Sequence, residues 1–67
     1  MNATRRIKFA MSLELSKRIY PESENVNQTG QAHTWTSHDG PWGEVTNEAG
    51  ENVARGINID SVKNWAL

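Results

Sequence analysis

The 67-residue chain contains no cysteine, which excludes disulfide bridges and the thiolate ligands of most structural zinc sites. His33 and His38 are its only histidines, and two imidazoles do not complete a zinc site without a third strong ligand. No apolar run approaches the roughly 18 residues that a membrane helix needs, and residues 1–6 lack the pattern of a secretory signal. We therefore expect a small cytoplasmic domain with no metal, no cofactor and no membrane partner.

Patterns that carry catalysis are missing as well. The sequence has no glycine-rich phosphate loop, and no serine lies in a nucleophile-elbow motif. Only His33, His38 and the adjacent Asp39 form a cluster suited to metal binding or proton transfer, and a spacing of five residues puts the two rings on opposite faces of a strand. The ordinary interpretation is polar residues beside a turn. The sequence predicts a protein that is not an enzyme.

The net charge of −1 hides an asymmetry along the chain. Residues 1–20 hold five Lys or Arg against one Glu, a net +4, whereas residues 21–67 carry a net −5. This layout indicates either two surfaces with different partners or electrostatic pairing inside one fold. The candidates for electrostatic or nucleic-acid contacts are Arg5, Arg6, Lys8 and Arg18.

The N-terminal part alternates between apolar and polar residues with a period of two. Because successive side chains of a strand point to opposite faces, this pattern predicts a strand over residues 7–15, with a bend or bulge near its far end. Its buried face would carry Ile7, Phe9, Met11, Leu13 and Leu15. Pro21 ends the segment, and residues 22–31, with Val26 as their one apolar residue, are expected to form an exposed loop.

The remainder predicts three further strands, over residues 32–37, 42–46 and 52–58, followed by a short helix. Residues 38–41 form a turn, and Gly50 in the left-handed region closes a hairpin. Asp60 is the expected N-cap of a helix over 61–66 that docks through Val62 and Trp65. The fold class is therefore α+β, mainly β: one domain over residues 1–67 with an antiparallel sheet of about four strands and a short C-terminal helix. As an alternative, residues 54–65 resemble the turn and recognition helix of a helix-turn-helix.

Three tryptophans are many for so short a chain, and tryptophan is enriched among interface anchors. The spacing leaves open whether Trp42 belongs to the core or to an exposed turn. We expect a partner surface made of Trp42, His38, Asp39 and Trp35.

The general profile is similar to that of small orphan proteins of phages and mobile elements, many of which bind and inhibit a host protein machine. By that analogy the chain is expected to be a protein-binding inhibitor or regulator of a host protein complex. The alternative is a small nucleic-acid-binding regulator that uses the basic N-terminal strand or the C-terminal helix. A chain this short is also expected to self-associate, as a homodimer through an edge of its sheet.

Overall fold

Across residues 4–65, four antiparallel strands in sequential order form the frame of the fold, and three short helices accompany them. The computed structural model describes the backbone of residues 4–65 and the side chains of residues 4–63. The strands, which lie in the order β1-β2-β3-β4, are β1 (Arg5–Ala10), β2 (Ala32–Ser37), β3 (Trp42–Asn47) and β4 (Asn52–Asn58). The helices are α1 (Leu13–Ile19), α2 (Glu22–Gln28) and α3 (Ile59–Trp65). This architecture confirms the predicted class, a mainly β α+β fold with a short C-terminal helix.

The N-terminal strand is shorter than the alternation suggests. β1 ends at Ala10, and Ser12 then caps α1, its side-chain oxygen accepting a hydrogen bond from the N–H of Leu15 at 3.1 Å. The prediction of a strand over 7–15 is therefore wrong beyond residue 10. Leu13 is 37% exposed, and Leu15 reaches the core from a helix rather than from the sheet. Since β1 pairs with β2 along its whole length, no part of the strand extends beyond its neighbour, and the homodimer through a sheet edge stays a prediction.

Residues 22–28 form a helix, not the predicted exposed loop. Pro21 precedes α2, and its carbonyl accepts hydrogen bonds from the N–H groups of Glu24 and Asn25. α2 is held to α1 by a buried hydrogen bond in which Ser16 Oγ donates to the carbonyl of Asn25 at 2.7 Å. Val26, the expected apolar anchor, is 70% exposed. A hydrogen bond between Ser16 and Asn25, rather than burial of Val26, thus holds α2 against α1.

The β3–β4 hairpin follows the prediction closely. Gly50 has φ +84°, and its N–H donates to the carbonyl of Asn47 at 3.0 Å, as the expected turn requires. β4 is irregular, because its register against β3 shifts twice and Gly56 adopts φ +69°. The outer edge of β4 is therefore broken by bulges, which increase local twist and interrupt pairing.

The C-terminal helix begins at Ile59, one residue before the predicted cap. Asn58 Oδ1 accepts a hydrogen bond from the N–H of Asp60 at 2.8 Å, so the asparagine does the capping expected of Asp60. Val62 is buried, as predicted, whereas the side chain of Trp65 lies outside the described residues. Residues 54–58 belong to β4, so the helix-turn-helix interpretation is wrong.

The core lies between one face of the sheet and the helices. Its buried apolar members are Phe9, Met11, Leu15, Trp35, Val45, Ile59 and Val62. Trp35 is the largest and is fully buried, and its indole N–H donates to the carbonyl of Ile57 at 2.8 Å. Gly43 lies directly beside this indole, where no larger residue fits. In the described part of the chain, no helix has the length and apolar character needed to cross a membrane.

Candidate functional site: the open face of the sheet

The helices leave one face of the sheet uncovered. Side chains of a strand alternate between faces, so the buried positions of β1, β2 and β3 identify the opposite, exposed set. We call this set the open face; besides Ala10 and Ala32, it comprises Arg6, Lys8, Thr34, Thr36, Trp42, Glu44 and Thr46. Strand pairing aligns Arg6 with Thr36 and Thr36 with Glu44, and it aligns Lys8 with Thr34 and Thr34 with Thr46. The open face is thus a threonine-lined surface with Arg6 and Lys8 on β1 and Glu44 on β3.

Trp42 stands at one end of the open face with 60% of its surface exposed. The turn before it is fixed by Ser37, whose buried hydroxyl lies 2.9 Å from the carbonyl of Gly40 and 2.8 Å from that of Trp42. Gly40 adopts φ +78°, a left-handed conformation that glycine reaches without strain. The carbonyl of Pro41 accepts a hydrogen bond from the N–H of Ile59 at 2.8 Å, which joins the turn to the start of α3. The exposed indole is therefore carried by an ordered backbone.

His38 and Asp39 lie in this turn and are exposed, as the sequence suggested. Continuing the register of β1, β2 and β3 places Thr4, His38 and Trp42 in one row across the open face. A distance of 3.4 Å between Thr4 Oγ1 and His38 Nδ1 agrees with this placement. The structure therefore brings three of the four expected partner-binding residues to one end of the sheet: Trp42, His38 and Asp39.

Trp35, the fourth residue of the expected partner surface, does not belong to it. Its exposed fraction is 0%, and it occupies the phase of β2 that faces the helices. The expectation of a partner contact at Trp35 is wrong for this fold, because the indole fills the space beside Gly43 and its N–H donates a hydrogen bond to the carbonyl of Ile57.

The basic residues divide among three places. Arg6 and Lys8 lie on the open face, whereas the guanidinium of Arg5 lies 5.9 Å from the ring centre of Trp35, within range of a cation–π contact. Arg18 is in the last turn of α1, where a cation interacts favourably with the helix dipole. The expectation that Arg18 shares the basic N-terminal strand with Arg6 and Lys8 is therefore wrong, and of the four candidate cations the open face holds Arg6 and Lys8.

The open face is not a uniform positive field. Glu44 lies near its centre, with Oε1 at 3.8 Å from the Nε of Arg55 and Oε2 accepting a hydrogen bond from Asn52 at 2.8 Å. The ion pair is exposed, and such pairs contribute little to stability, typically about 0–1 kcal/mol. Its effect is to keep opposite charges close together on the surface.

A pair formed by the buried His33 and the half-buried Tyr20 lies at the other end of the sheet, and no such pair was expected from the sequence. His33 is 2% exposed, with Nδ1 at 2.9 Å from the carbonyl of Gln31 and Nε2 at 2.7 Å from the hydroxyl of Tyr20. Because a carbonyl only accepts, Nδ1 carries a proton, and in the neutral ring Nε2 accepts from Tyr20. Burial raises the pKa of the Tyr20 phenol above 10.0, and the carboxylates of Glu24 and Glu51 add to that rise.

Two adjoining clefts, of about 260 and 250 Å³, open beside this pair. Both are lined by Ala32, His33, Asn47 and Glu48. Each ring nitrogen of His33 already has a protein partner, so the imidazole has no free atom with which to bind a ligand in the clefts. Among residues 4–63, no three His, Cys, Asp or Glu side chains are grouped to hold a metal ion. The open face is thus the better candidate for a functional surface. The chain matches no protein-family model, no curated protein and no solved structure.

Proposed function

We propose that this chain is a non-enzymatic protein-binding module whose interface is the open face, with Trp42 as its main anchor. The observation that carries this proposal is a 60% exposed tryptophan on a turn whose carbonyl groups at Gly40 and Trp42 are both held by the hydroxyl of Ser37. Tryptophan contributes a large apolar area with few rotatable bonds, and an anchor already held in place loses little entropy on binding. Exposing such a side chain is costly unless a partner covers it.

The mixed charge of the open face favours a protein partner over a polyanion. Arg6 and Lys8 at one side oppose Glu44 near the centre, and the threonines between them offer hydroxyl groups of both donor and acceptor character. Protein interfaces combine aromatic side chains with polar and charged ones, as this face does. We propose further that the partner belongs to a larger protein complex, which the module inhibits or regulates, and that the two meet in the cytoplasm. The small size and the composition of the chain support both proposals.

Affinity capture with matched variants tests the proposal. The immobilised chain, Trp42→Ala and Val26→Ala are incubated with a cell lysate that has or has not been treated with nuclease. Val26 is the control because it is an apolar side chain, 70% exposed, on α2 rather than on the open face. We expect the natural chain and Val26→Ala to capture the same protein partners with or without nuclease, and Trp42→Ala to capture them poorly or not at all. Truncating an anchor residue costs about 2 kcal/mol or more of binding free energy, roughly 30-fold in affinity. Equal capture by both variants would contradict the proposal.

A second candidate function, binding of single-stranded nucleic acid, rests on a different observation. Arg6 and Lys8 share the open face with Trp42, and stacking aromatics beside cations are the elements of single-strand binding surfaces. Against it stand the net charge of −1 and Glu44 on the same face.

Salt dependence separates the two functions. The probe is a labelled single-stranded oligothymidine, measured by fluorescence anisotropy against the chain and against Arg6→Ala/Lys8→Ala. Binding through both cations predicts a slope of log K against log salt near −1.4, about −0.7 for each phosphate contact. The double variant should abolish that slope. If the oligonucleotide binds in this way, or if nuclease removes the captured proteins, the nucleic-acid function replaces the leading proposal.

A further inference from the structure

β1 offers a regular strand edge that nothing in the described chain covers. It is the first strand of the sheet and pairs with β2 on one side only. Beyond its end the pairing continues with a hydrogen bond from Met11 N–H to the carbonyl of Gln31 at 2.9 Å. Residues that exchange such bonds alternate along an antiparallel pair, so the odd residues of β1 bond to β2. The N–H and C=O groups of Arg6 and Lys8 therefore point away from the sheet.

The two edges of the sheet differ in their capacity to accept another strand. β4 contains two register shifts and Gly56 at φ +69°, and such irregularities prevent continuous pairing. β1 holds an unbroken register of six pairs with β2 and contains neither Pro nor Gly. The protein thus presents one interrupted edge and one regular edge, with three cations among the six residues of the regular one.

The charges on β1 determine which strand it can accept. If a second copy paired its own β1 here in antiparallel orientation, Arg6 and Lys8 would face the same cations of the partner copy. Like charges opposite each other on a sheet are destabilising. Neither residue has an ion pair within residues 4–63, so acidic side chains on an incoming strand would have both cations as new partners.

We propose that the outer edge of β1 binds an extended, acidic segment of a protein partner as a fifth strand of the sheet. Main-chain hydrogen bonds to Arg6 and Lys8 would supply affinity, and carboxylates on the side of the open face would supply selectivity. The inference rests on the proposed function, because it assumes a protein partner, and it specifies what that partner contributes beside the surface around Trp42.

Proline substitution tests the main-chain bonds directly. Lys8→Pro removes an N–H that points outward and leaves the bonds of Ile7 and Phe9 to β2 in place, and edge strands tolerate proline in that position. Lys8→Ala is the matched control, because it removes the same charge and keeps the N–H. The probe is a labelled eight-residue peptide alternating glutamate with valine, measured by fluorescence anisotropy, beside a peptide with glutamine in place of glutamate.

We expect the glutamate peptide to bind the natural chain, and Lys8→Ala to weaken binding severalfold. Lys8→Pro should weaken it about tenfold further, the equivalent of losing one hydrogen bond and meeting the proline ring. Circular dichroism establishes that both variants fold. Should Lys8→Pro fail to fold, amide hydrogen exchange of the natural chain gives the same answer: the peptide must protect the N–H groups of Arg6 and Lys8.

Each other outcome overturns the inference in a recognisable way. Equal binding by Lys8→Pro and Lys8→Ala excludes strand addition, and equal binding of the glutamine peptide excludes acidic selection. If neither peptide binds, the inference is wrong, and Arg6 and Lys8 serve only to keep other strands from pairing with the edge of β1. A dimer in light scattering that Lys8→Pro dissociates assigns the edge to a second copy. If the peptide result fails while Trp42→Ala still releases captured proteins, the proposed function stands without the added strand; the reverse result would leave the edge as a separate binding site.

Discussion

Gly43 is the position at which one added methyl group meets the least space. A Cβ atom there would lie 2.5 Å from the carbonyl oxygen of Thr36 and 2.6 Å from Cε2 of Trp35, whereas ordinary contact begins at 3.4 Å. Neither neighbour is the free end of a flexible chain. The carbonyl belongs to an inner strand, and the indole is tied to the carbonyl of Ile57. Gly43→Ala must therefore displace part of the sheet or of the core.

The expected cost of Gly43→Ala follows from these contacts. Overfilling a packed core costs about 1–3 kcal/mol, and stretching the Trp35 hydrogen bond adds about 1 kcal/mol. Restriction of the unfolded chain by alanine returns about 0.4–1 kcal/mol. We expect the free energy of unfolding to fall by about 2–3 kcal/mol, which lowers the melting temperature of a domain this small by about 10–20 °C.

Urea unfolding followed by circular dichroism measures this cost, with Gly50→Ala as the control. Gly50 has φ +84° and open space around it, so its substitution carries conformational strain but no clash. In a Trp35→Phe background the smaller ring removes part of the clash, and Gly43→Ala should cost less there, whereas the cost of Gly50→Ala stays the same. A Gly43→Ala variant as stable as the natural chain, or equally destabilised in both backgrounds, would refute the reasoning.

Three further variants separate structure from recognition. Trp42→Ser should leave the free energy of unfolding within about 0.5 kcal/mol of the natural value in urea, because the exposed indole adds little to the core; a larger loss would assign it a structural role. Ser16→Ala removes the buried donor to Asn25 and should cost about 1–3 kcal/mol by thermal melting. Tyr20→Phe leaves His33 Nε2 without its donor and should cost about 1–2 kcal/mol near neutral pH. Since the pKa of Tyr20 is raised, its contribution to stability is complete below pH 10.0 and is lost as pH rises through the folded-state pKa. Above pH 10.0 the natural chain should therefore lose stability more steeply than Tyr20→Phe, and parallel curves for the two proteins would contradict this.

The strands after residue 31 could be predicted because their local signals agree with their packing. Threonine and aromatic residues mark β2, and Gly50 marks a hairpin turn that needs a left-handed residue. The bulges of β4 were not predicted, although Gly56 in the middle of that strand is the kind of residue that accompanies them. They depend on how β4 fits β3, which is a tertiary property.

The segment around residue 12 was misinterpreted because one apolar pattern suits two structures. Alternation persists through residue 15, yet Ser12 is a helix cap and Glu14 lies in the first turn that follows. Lys17 and Arg18 complete the charge order that a helix dipole favours. Capping and charge order were therefore better guides than hydrophobic period here. The sequence of α2 shows no apolar periodicity that would predict a helix. The helix is anchored instead by a hydrogen bond from Ser16 to the main chain of Asn25.

Trp35 and Trp42 show why a candidate site is harder to predict than a strand. Both stand in short strands beside small or polar residues, and composition does not tell which one is buried. The strand register decides which indole is buried. Trp35 pairs with Val45 on the buried face of the sheet, whereas Trp42 precedes the buried Gly43 and therefore lies on the opposite face. The same pairing that buries one indole thus exposes the other.

That division also separates the consequences of mutation. The carbonyl of Trp42 is held by the hydroxyl of Ser37, and the next residue, Gly43, packs against the Trp35 ring; both Ser37 and Gly43 are buried. Replacing Trp42 removes a contact surface and leaves its support intact, whereas replacing Ser37 or Gly43 alters the support and the core together. A variant that loses binding identifies an interface residue only when its free energy of unfolding is unchanged. Among Trp42, Ser37 and Gly43, we expect only substitution of Trp42 to meet that condition. Partner capture by Trp42→Ala thus decides the function more directly than any variant of the turn beneath it.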